Sequence, residues 1–578
     1  MKRILQPVIQ NIPLFLISIL LMGGFDVGYQ QHLFHENKPI DILTGYMEII
    51  FMAYVICLFS YLFRKIYLKV FFYLILFILY GLSCYLLYAY SAYITPNILL
   101  LLFETNSKEV TGFFQTYLMT PAMYKSVTII GFLLVLTIIG EIYNKRISKF
   151  ASKPICTWAL AVVLLLGAIG SVGVVKRYWN LSQSKTAYDA ECWKSSHLFY
   201  KVMPVPNFCY SVMAIYMAGQ DIYYMVDATK QTLESVEPVK SDSLNIVLVI
   251  GESFNKYHAQ LYGYSLHTTP NQCDEQSRGN LYAYTHVKAP HNMTSVVLKN
   301  MFCCNNVHEG ERWHDYAFFP AIFKKAGFNV WLWDNQYQTN PNMAINFTLN
   351  SIIFNKEIEH LSYTAYNDVC TTYDDGLIAD FKQKKGSKLG SHNLIIFHLN
   401  GQHRPANMQY PQKKEYQLFT AQDIKNPAPY LNDESRQRIA EYANATHFND
   451  QVIKQIMDIV RDTKAVLVYF SDHGEEVYDY RDFLGRSLLE EAEITPELIK
   501  YQIEIPFIVW VSDKWKQQNE TEWQHMGEAI DREFSIDNVC HLLFRLGGIN
   551  TKEYKSSRDL FSPEFVPQTK EYDMTNVL

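Results

Sequence analysis

Ala465-Val466-Leu467-Val468-Tyr469-Phe470-Ser471-Asp472-His473-Gly474-Glu475-Glu476 is an apolar run that stops abruptly on adjacent Asp, His and Gly. Without polar alternation, a run of this length reads as a strand buried on both faces. Such strands belong to mainly parallel sheets, whose sites form beyond the carboxyl ends of the strands. A carboxylate and an imidazole delivered together to that edge suit a divalent cation.

Four similar runs occur at residues 245–250, 329–333, 393–397 and 505–511, with helical patterns at 314–326, 376–383, 434–460 and 536–546. This alternation predicts an α/β domain over residues 244–578, a mainly parallel sheet sandwiched by helices. Beyond the first strand stands Gly251-Glu252-Ser253, and beyond the third His398-Leu399-Asn400-Gly401-Gln402-His403-Arg404-Pro405. Glu252, His398 with His403, and Asp472 with His473 therefore collect at one edge. Oxygen and imidazole ligands together suit a borderline cation such as Zn²⁺. Any one of these residues alone reads equally well as a cap or an ion-pair partner. Convergence of three strand ends is what marks a site.

Ala289-Pro290-His291-Asn292-Met293-Thr294-Ser295-Val296-Val297 sets two hydroxyls just before an apolar helix-like run. A hydroxyl there serves as a helix cap, or as a nucleophile favoured by the helix dipole and a coordinated cation. Spacing leaves both readings open.

The overall 49% hydrophobic and 19% charged residues average over two unlike halves. Stretches at residues 8–28, 46–63, 70–90, 126–143 and 157–175 each approach the roughly 20 apolar residues that cross a bilayer. Lys2 and Arg3, then Arg64, Lys65 and Lys69, then Lys145, Arg146, Lys149 and Lys153 mark alternate connections. This pattern puts the N-terminus in the cytoplasm and, with an odd number of spans, everything after about residue 176 outside. The predicted organisation is a five-helix transmembrane domain over 1–175, a Tyr- and Lys-rich linker with helices over 176–243, and the outer domain. With no A-x-A-like cleavage site, the first span reads as an uncleaved anchor. The semi-apolar connection 94–125 is either an interfacial helix or an ordinary connector. A formal charge of −6 argues against a nucleic-acid partner. Seven cysteines (192, 209, 273, 303, 304, 370 and 540) fall outside, where disulfides persist, and spacing does not fix their pairing.

In this order, Gly251-Glu252-Ser253, Thr294, Gly401-x-His403-x-Pro405 with Tyr410-Pro411, and Ser471-Asp472-His473-Gly474-Glu475 resemble the membrane-anchored phosphoethanolamine transferases of the alkaline phosphatase and sulfatase superfamily. The resemblance runs from the five spans to the end of the outer domain. It takes in Phe103-Glu104-Thr105-Asn106, Gly263-Tyr264 and Thr268-Thr269-Pro270. It implies a monomeric enzyme of the bacterial inner membrane with its catalytic domain in the periplasm. It also implies that Glu252, Thr294, Asp472 and His473 bind catalytic zinc, a second ion being left open, with Thr294 as nucleophile and His403 acting on the substrate phosphate. The implied donor is phosphatidylethanolamine, a lipid that reaches the site only beside a membrane. Lipid A or the lipopolysaccharide core is the expected acceptor, with a periplasmic glucan or a protein still open.

The chain departs from that family in two places. Relatives that modify lipid A carry a Cys-flanked, Lys-bearing segment after an Asp-Asn pair, whereas Asp334-Asn335 continues as Gln336-Tyr337-Gln338-Thr339-Asn340. Many relatives also carry a further His after the Asp-His-Gly-Glu stretch, and here the next is His525. Arg481 and Arg486 stand in that region, as bidentate phosphate ligands or as surface ion-pair residues. Asn335, His398, Arg481 and Arg486 are therefore the candidate substrate contacts. A glycerol-phosphate transferase resembling lipoteichoic acid synthase shares the spans and the Thr-zinc set. A sulfatase-like phosphodiesterase fits less well, because no Cys/Ser-x-Pro-x-Arg pentapeptide lies near Glu252 or Thr294. A catalytically dead scaffold would have no use for the Glu/Thr/Asp/His set.

Overall fold

The computed structural model describes residues 2–30, 39–90, 94, 99, 121–183, 203–240, 242–336, 352, 353, 355–385, 389–487 and 495–567. They fall into two units, Met1–Gln220 and Asp221–Leu578.

The first unit is helical: α1 (Lys2–Ile9), α2 (Ile12–Gln30), α3 (Pro39–Leu62), α4 (Ile66–Tyr90), α5 (Pro121–Ile142), α6 (Asn144–Ala151), α7 (Pro154–Gln183) and the start of α8 (Pro204–Leu233). Leu43–Leu62, Ile66–Tyr88, Met123–Ile142 and Pro154–Val172 are each long and apolar enough to cross a bilayer. The span expected at residues 8–28 is a broken one, Arg3–Ile9 meeting Ile12–Phe25 at 75°. Asn11 sits at the break. Its Nδ2 donates to Pro7 O at 2.6 Å and its Oδ1 accepts from Ser60 Oγ at 2.9 Å, a local side-chain alternative to the helical ladder. Lys69 pairs with Glu141 inside this unit, and Glu141 also accepts from Tyr73 Oη at 3.1 Å. Trp158, Leu165, Ile169 and Val172 of α7 stay exposed, an arrangement that suits lipid rather than water. A Cβ at Gly170 would lie 2.6 Å from the Met47 carbonyl carbon, so glycine lets α7 pack closely on α3. Most of the 94–125 connection, with Phe103-Glu104-Thr105-Asn106, lies outside the described residues, as does Cys192.

The second unit is built on seven strands: β1 (Leu244–Gly251), β2 (Leu281–Tyr284), β3 (Asn329–Asp334), β4 (Ala365–Tyr366), β5 (His392–His398), β6 (Ala465–Ser471) and β7 (Phe507–Val511). Their order is β2-β7-β6-β1-β5-β3-β4, and β7 alone runs against the rest. The five runs expected from sequence are all strands. Short β2 and β4 present no such run. Ile246, Leu248 and Ile250 face one core while Val247 and Val249 face the other, the two-sided burial that a parallel sheet requires. On the first face lie α9 (Thr294–Phe302), α10 (Phe319–Lys325), α13 (Val539–Gly547) and the C-terminal turns of α8. On the second lie α11 (Asp374–Lys385) and α12 (Asp433–Val460). The helix expected over 314–326 is confined to α10: its N-cap, Phe318, is extended, and Pro320 lies in the first turn, where its missing N–H costs no helical hydrogen bond.

Strand register sets where the edge residues stand. Ile250 pairs with both His398 and Phe470, Gly251 with Ser471, and Asp334 with His398. The carboxyl ends of the four strands are thus level, and the residues just past them share one edge.

Candidate active site

The ladder runs one step past the strands: Asp472 N donates to Gly251 O at 3.0 Å and Gln402 N to Glu252 O at 3.0 Å. The chain then turns sharply at Ser253, whose φ of 55° is uncommon for a residue with a side chain. That turn aims Ser253 N at Asp472 Oδ1 (3.1 Å), which also accepts from His473 N (2.7 Å). One oxygen of Asp472 is thereby committed to the backbone. Its partner Oδ2 is buried, accepts no hydrogen bond, and lies 3.2 Å from His473 Nε2.

Glu252, Asp472 and His473 are fully buried, with one ligand atom from each within 4.8 Å of the others. His473 Nδ1 lies 2.8 Å from Gly474 O. A carbonyl only accepts, so the proton is on Nδ1 and the Nε2 lone pair faces the carboxylates. Glu252 Oε1 is 3.3 Å from that nitrogen. Burial, and next the Glu252 charge, push the Asp472 carboxyl well above the usual carboxylate range. Burial, and next the Arg486 charge, lower His473, keeping the imidazole neutral. Two buried carboxylates and a neutral imidazole with its lone pair turned inward form a poor set for a protein interior and a good one for Zn²⁺. The residues present fit the metal.

Thr294 is the first residue of α9, and the N-cap is Met293, with no side-chain cap. His291 Nδ1 accepts the Met293 N–H at 3.0 Å instead. Burial first, then the charges of Lys299, His473 and Arg486, lower the His291 pKa to about 3. Relieved of capping, Thr294 Oγ1 lies 3.1 Å from Glu252 Oε2 and 3.2 Å from His473 Nε2. It is a fourth oxygen on the same cluster.

Two supports have no signal in the sequence beyond a polar residue after a strand or at the start of a helix. Gln336 Nε2 donates to Glu252 Oε2 at 3.1 Å and to Leu399 O at 2.6 Å, tying the ends of β3 and β5 to the carboxylate. Asp374, at the start of α11, accepts from Asn400 N (2.9 Å), Gly401 N (3.0 Å) and Asn335 Nδ2 (2.8 Å). Gly401 itself has φ 51°, and a Cβ there would lie 2.8 Å from both N and O of Glu252. Gly401→Ala is expected to destabilise the outer unit by about 2 kcal/mol, since neither the backbone angle nor the facing peptide can yield. Thermal unfolding of the full chain measures this, and an unchanged midpoint would contradict the contact.

The remaining candidates separate. Arg486 Nη1 lies 2.6 Å from His473 Nε2 and donates to Asn292 O at 2.7 Å, bringing a guanidinium to the cluster. Arg481 is not brought there: its fork pairs with Glu476 at 2.9 Å twice over, and it covers the Phe483 ring. Asn335 is spent on Asp374 and on Thr371, whose N–H donates to it at 2.6 Å. His398 Nδ1 pairs with Asp334 Oδ2 at 3.1 Å. His403 is half-buried and donates from Nδ1 to Arg404 O at 2.9 Å, within electrostatic reach of Glu252.

The sulfatase family profile matches residues 244–549, more than half of this 578-residue chain. The chain is 24% identical over 500 residues to phosphoethanolamine transferase EptC of Escherichia coli K12, covering 83% of this chain and 80% of that protein. It is 27% identical over 281 residues to the Kdo(2)-lipid A phosphoethanolamine 7''-transferase of the same organism, covering 48% and 46%. The integral membrane protein lipooligosaccharide phosphoethanolamine transferase A (EptA) from Neisseria meningitidis shares the fold. It matches over 96% of this chain and 97% of that one, with a TM-score of 0.55 at 16% identity. With the parallel sheet and its edge cluster lying inside the matched residues, the chain belongs to the sulfatase family.

Proposed function

We propose that this protein transfers phosphoethanolamine from phosphatidylethanolamine to a glycolipid of the cell envelope, lipid A or the lipopolysaccharide core. Its catalytic domain would span residues 244–578, outside the inner membrane, with 1–175 embedded and 176–243 connecting them. The observation that carries the reading is the Thr294 hydroxyl, 3.1 Å from Glu252 Oε2 and 3.2 Å from His473 Nε2, on a buried set that fits zinc. The names of the relatives support the transferred group, and a lipid donor gives the apolar helices a purpose.

Glu252, Asp472, His473 and Thr294 would hold one zinc ion. Bound there, the metal supplies Lewis-acid stabilisation of negative charge on the Thr294 oxygen and on the phosphoryl group. Thr294 Oγ, its proton already lost to solvent, attacks phosphorus as the alkoxide, the form in which the second half releases it; a new P–O bond forms, and the bond to the diacylglycerol oxygen breaks. That oxygen takes a proton, for which His403 is the candidate donor. In the second half an acceptor oxygen attacks the phosphoethanolamine-Thr294 ester, gives its proton to His403, and releases the threonine. Arg486 presents guanidinium N–H groups where phosphate oxygens carry charge, a role its geometry suits better than a lysine's would.

The test is to trap the ester. Full-length protein incubated with phosphatidylethanolamine and quenched in acid is expected to carry a phosphoethanolamine mass on the peptide containing Thr294. A glycerol-phosphate mass after incubation with phosphatidylglycerol, and none with phosphatidylethanolamine, would instead support the glycerol-phosphate transferase. An unmodified Thr294 with both donors would sink the nucleophile assignment.

A further inference from the structure

Beside the cluster, on the far side of Glu475, opens a pocket of about 510 Å³ bounded by Arg404, Pro405, Arg438, Glu441, Tyr442 and Leu484. Its volume falls within the range of small-molecule sites, ~300–1,000 Å³. Tyr442 is buried, and its hydroxyl donates to Ser253 O at 2.6 Å and accepts from Asn255 N at 2.8 Å. That wall is therefore tied to the turn that carries Glu252. Pro405 and Leu484 add apolar surface.

Arg404 is built into the opposite wall. Its Nε lies 2.5 Å from Glu475 Oε1 and its Nη1 donates to Leu484 O at 3.1 Å. A Cβ at Gly485, where φ is 135°, would lie 2.8 to 3.0 Å from Nη1, Cζ and Nη2, so the flat guanidinium rests on a glycine. Clamped in this way, the side chain is still 44% exposed, a donor fork held in place and open to a ligand. Arg438, on α12, adds a second guanidinium that is 41% exposed and 3.1 Å from Glu441. The other oxygen of Glu475 faces Arg486 Nε at 3.6 Å, and Arg486 touches His473. One carboxylate between two arginines therefore separates the pocket from the reacting centre.

We infer that this pocket anchors the acceptor by an anionic group, a sugar phosphate, distinct from the oxygen that attacks. The inference rests on the transferase reading. Arg404 and Arg438 take the phosphate, Glu441 takes a sugar hydroxyl, and Pro405 and Leu484 face the apolar side of the ring. The donor phosphate cannot be the occupant, because it must meet Thr294 Oγ1 on the other side of Glu475 and Arg486. An acceptor with two anionic groups is thereby favoured over one with a single group.

The experiment uses the full chain in detergent with zinc, phosphatidylethanolamine as donor, and two acceptors: a glucosamine disaccharide lipid bearing two phosphates, and the same lipid bearing one. Wild type is expected to show a KM about tenfold lower for the bisphosphorylated acceptor. Arg438→Ala is expected to raise that KM to the monophosphorylated value with kcat held, and Arg438→Lys to recover part of the difference. Glucose 6-phosphate, as a free sugar phosphate, is expected to compete with the acceptor in wild type and to lose about tenfold in potency in Arg438→Ala. An equal KM for both lipids in wild type, or a preference surviving in Arg438→Ala, overturns the pocket while the Thr294 ester still forms. Absence of the ester in wild type overturns the transferase reading and the pocket with it.

Discussion

Thr294→Ala is expected to reduce transfer by roughly 10⁴-fold or more, the scale seen when a nucleophile acting within a catalytic set is removed. The fold should survive. Thr294 opens α9 without capping it, and alanine is the better helix former, so melting temperature and secondary structure should match the wild type. The lost oxygen lies between Glu252 Oε2 at 3.1 Å and His473 Nε2 at 3.2 Å, and among the described residues no other hydroxyl bonds both groups. Thr294→Ser keeps that oxygen and is expected to retain measurable transfer. Steady-state assays with a fluorescent phosphatidylethanolamine, beside thermal unfolding, would check both variants. An alanine variant keeping more than about 1% of wild-type rate would remove Thr294 from the chemistry.

Metal removal is the second large effect. Chelation is expected to abolish transfer and added zinc to restore it, but stability gives an independent readout. A ligand that binds only the folded state adds about 4 kcal/mol when free ligand is a thousandfold above its dissociation constant. Zinc should therefore raise the unfolding temperature of the wild type and leave that of His473→Ala nearly unmoved. Asp472→Asn should behave similarly, because its Oδ2, buried without a hydrogen-bond donor, loses the charge that faces the cation. If zinc raised the melting point of all three proteins equally, the metal would be binding elsewhere.

Much of this site is legible in residues adjacent in the chain. Asp472 and His473 follow an apolar strand directly, and so does Glu252. A parallel sheet brings such positions to one edge whenever its strands end level, as Gly251 and Ser471 do here. Thr294 is ambiguous on sequence because a hydroxyl before a helix has a common local use. The distinction comes from Met293 and His291, which take over the start of α9. The helix expected at 314–326 is too long because apolar spacing ignores Pro320, which sets where the first turn can begin.

The two arginines illustrate the limit. Arg481 and Arg486 are five residues apart with the same charge, and nothing local distinguishes them. A buried carboxylate, Glu476, captures one, and Glu475 with Asn292 turns the other toward His473. Gln336 and Asn335 are neighbours with opposite fates for the same reason, one reaching Glu252 and the other bracing Asp374. What the amino-acid order determined by itself was periodic or local: apolar helices, buried strands, and the polar residues that end them. Which of those residues meet was decided by tertiary structure alone, since the partners of Glu252 lie 42, 84 and 221 positions away, at Thr294, Gln336 and His473. Only strand register and the turns beyond it bring such distant groups within bonding distance.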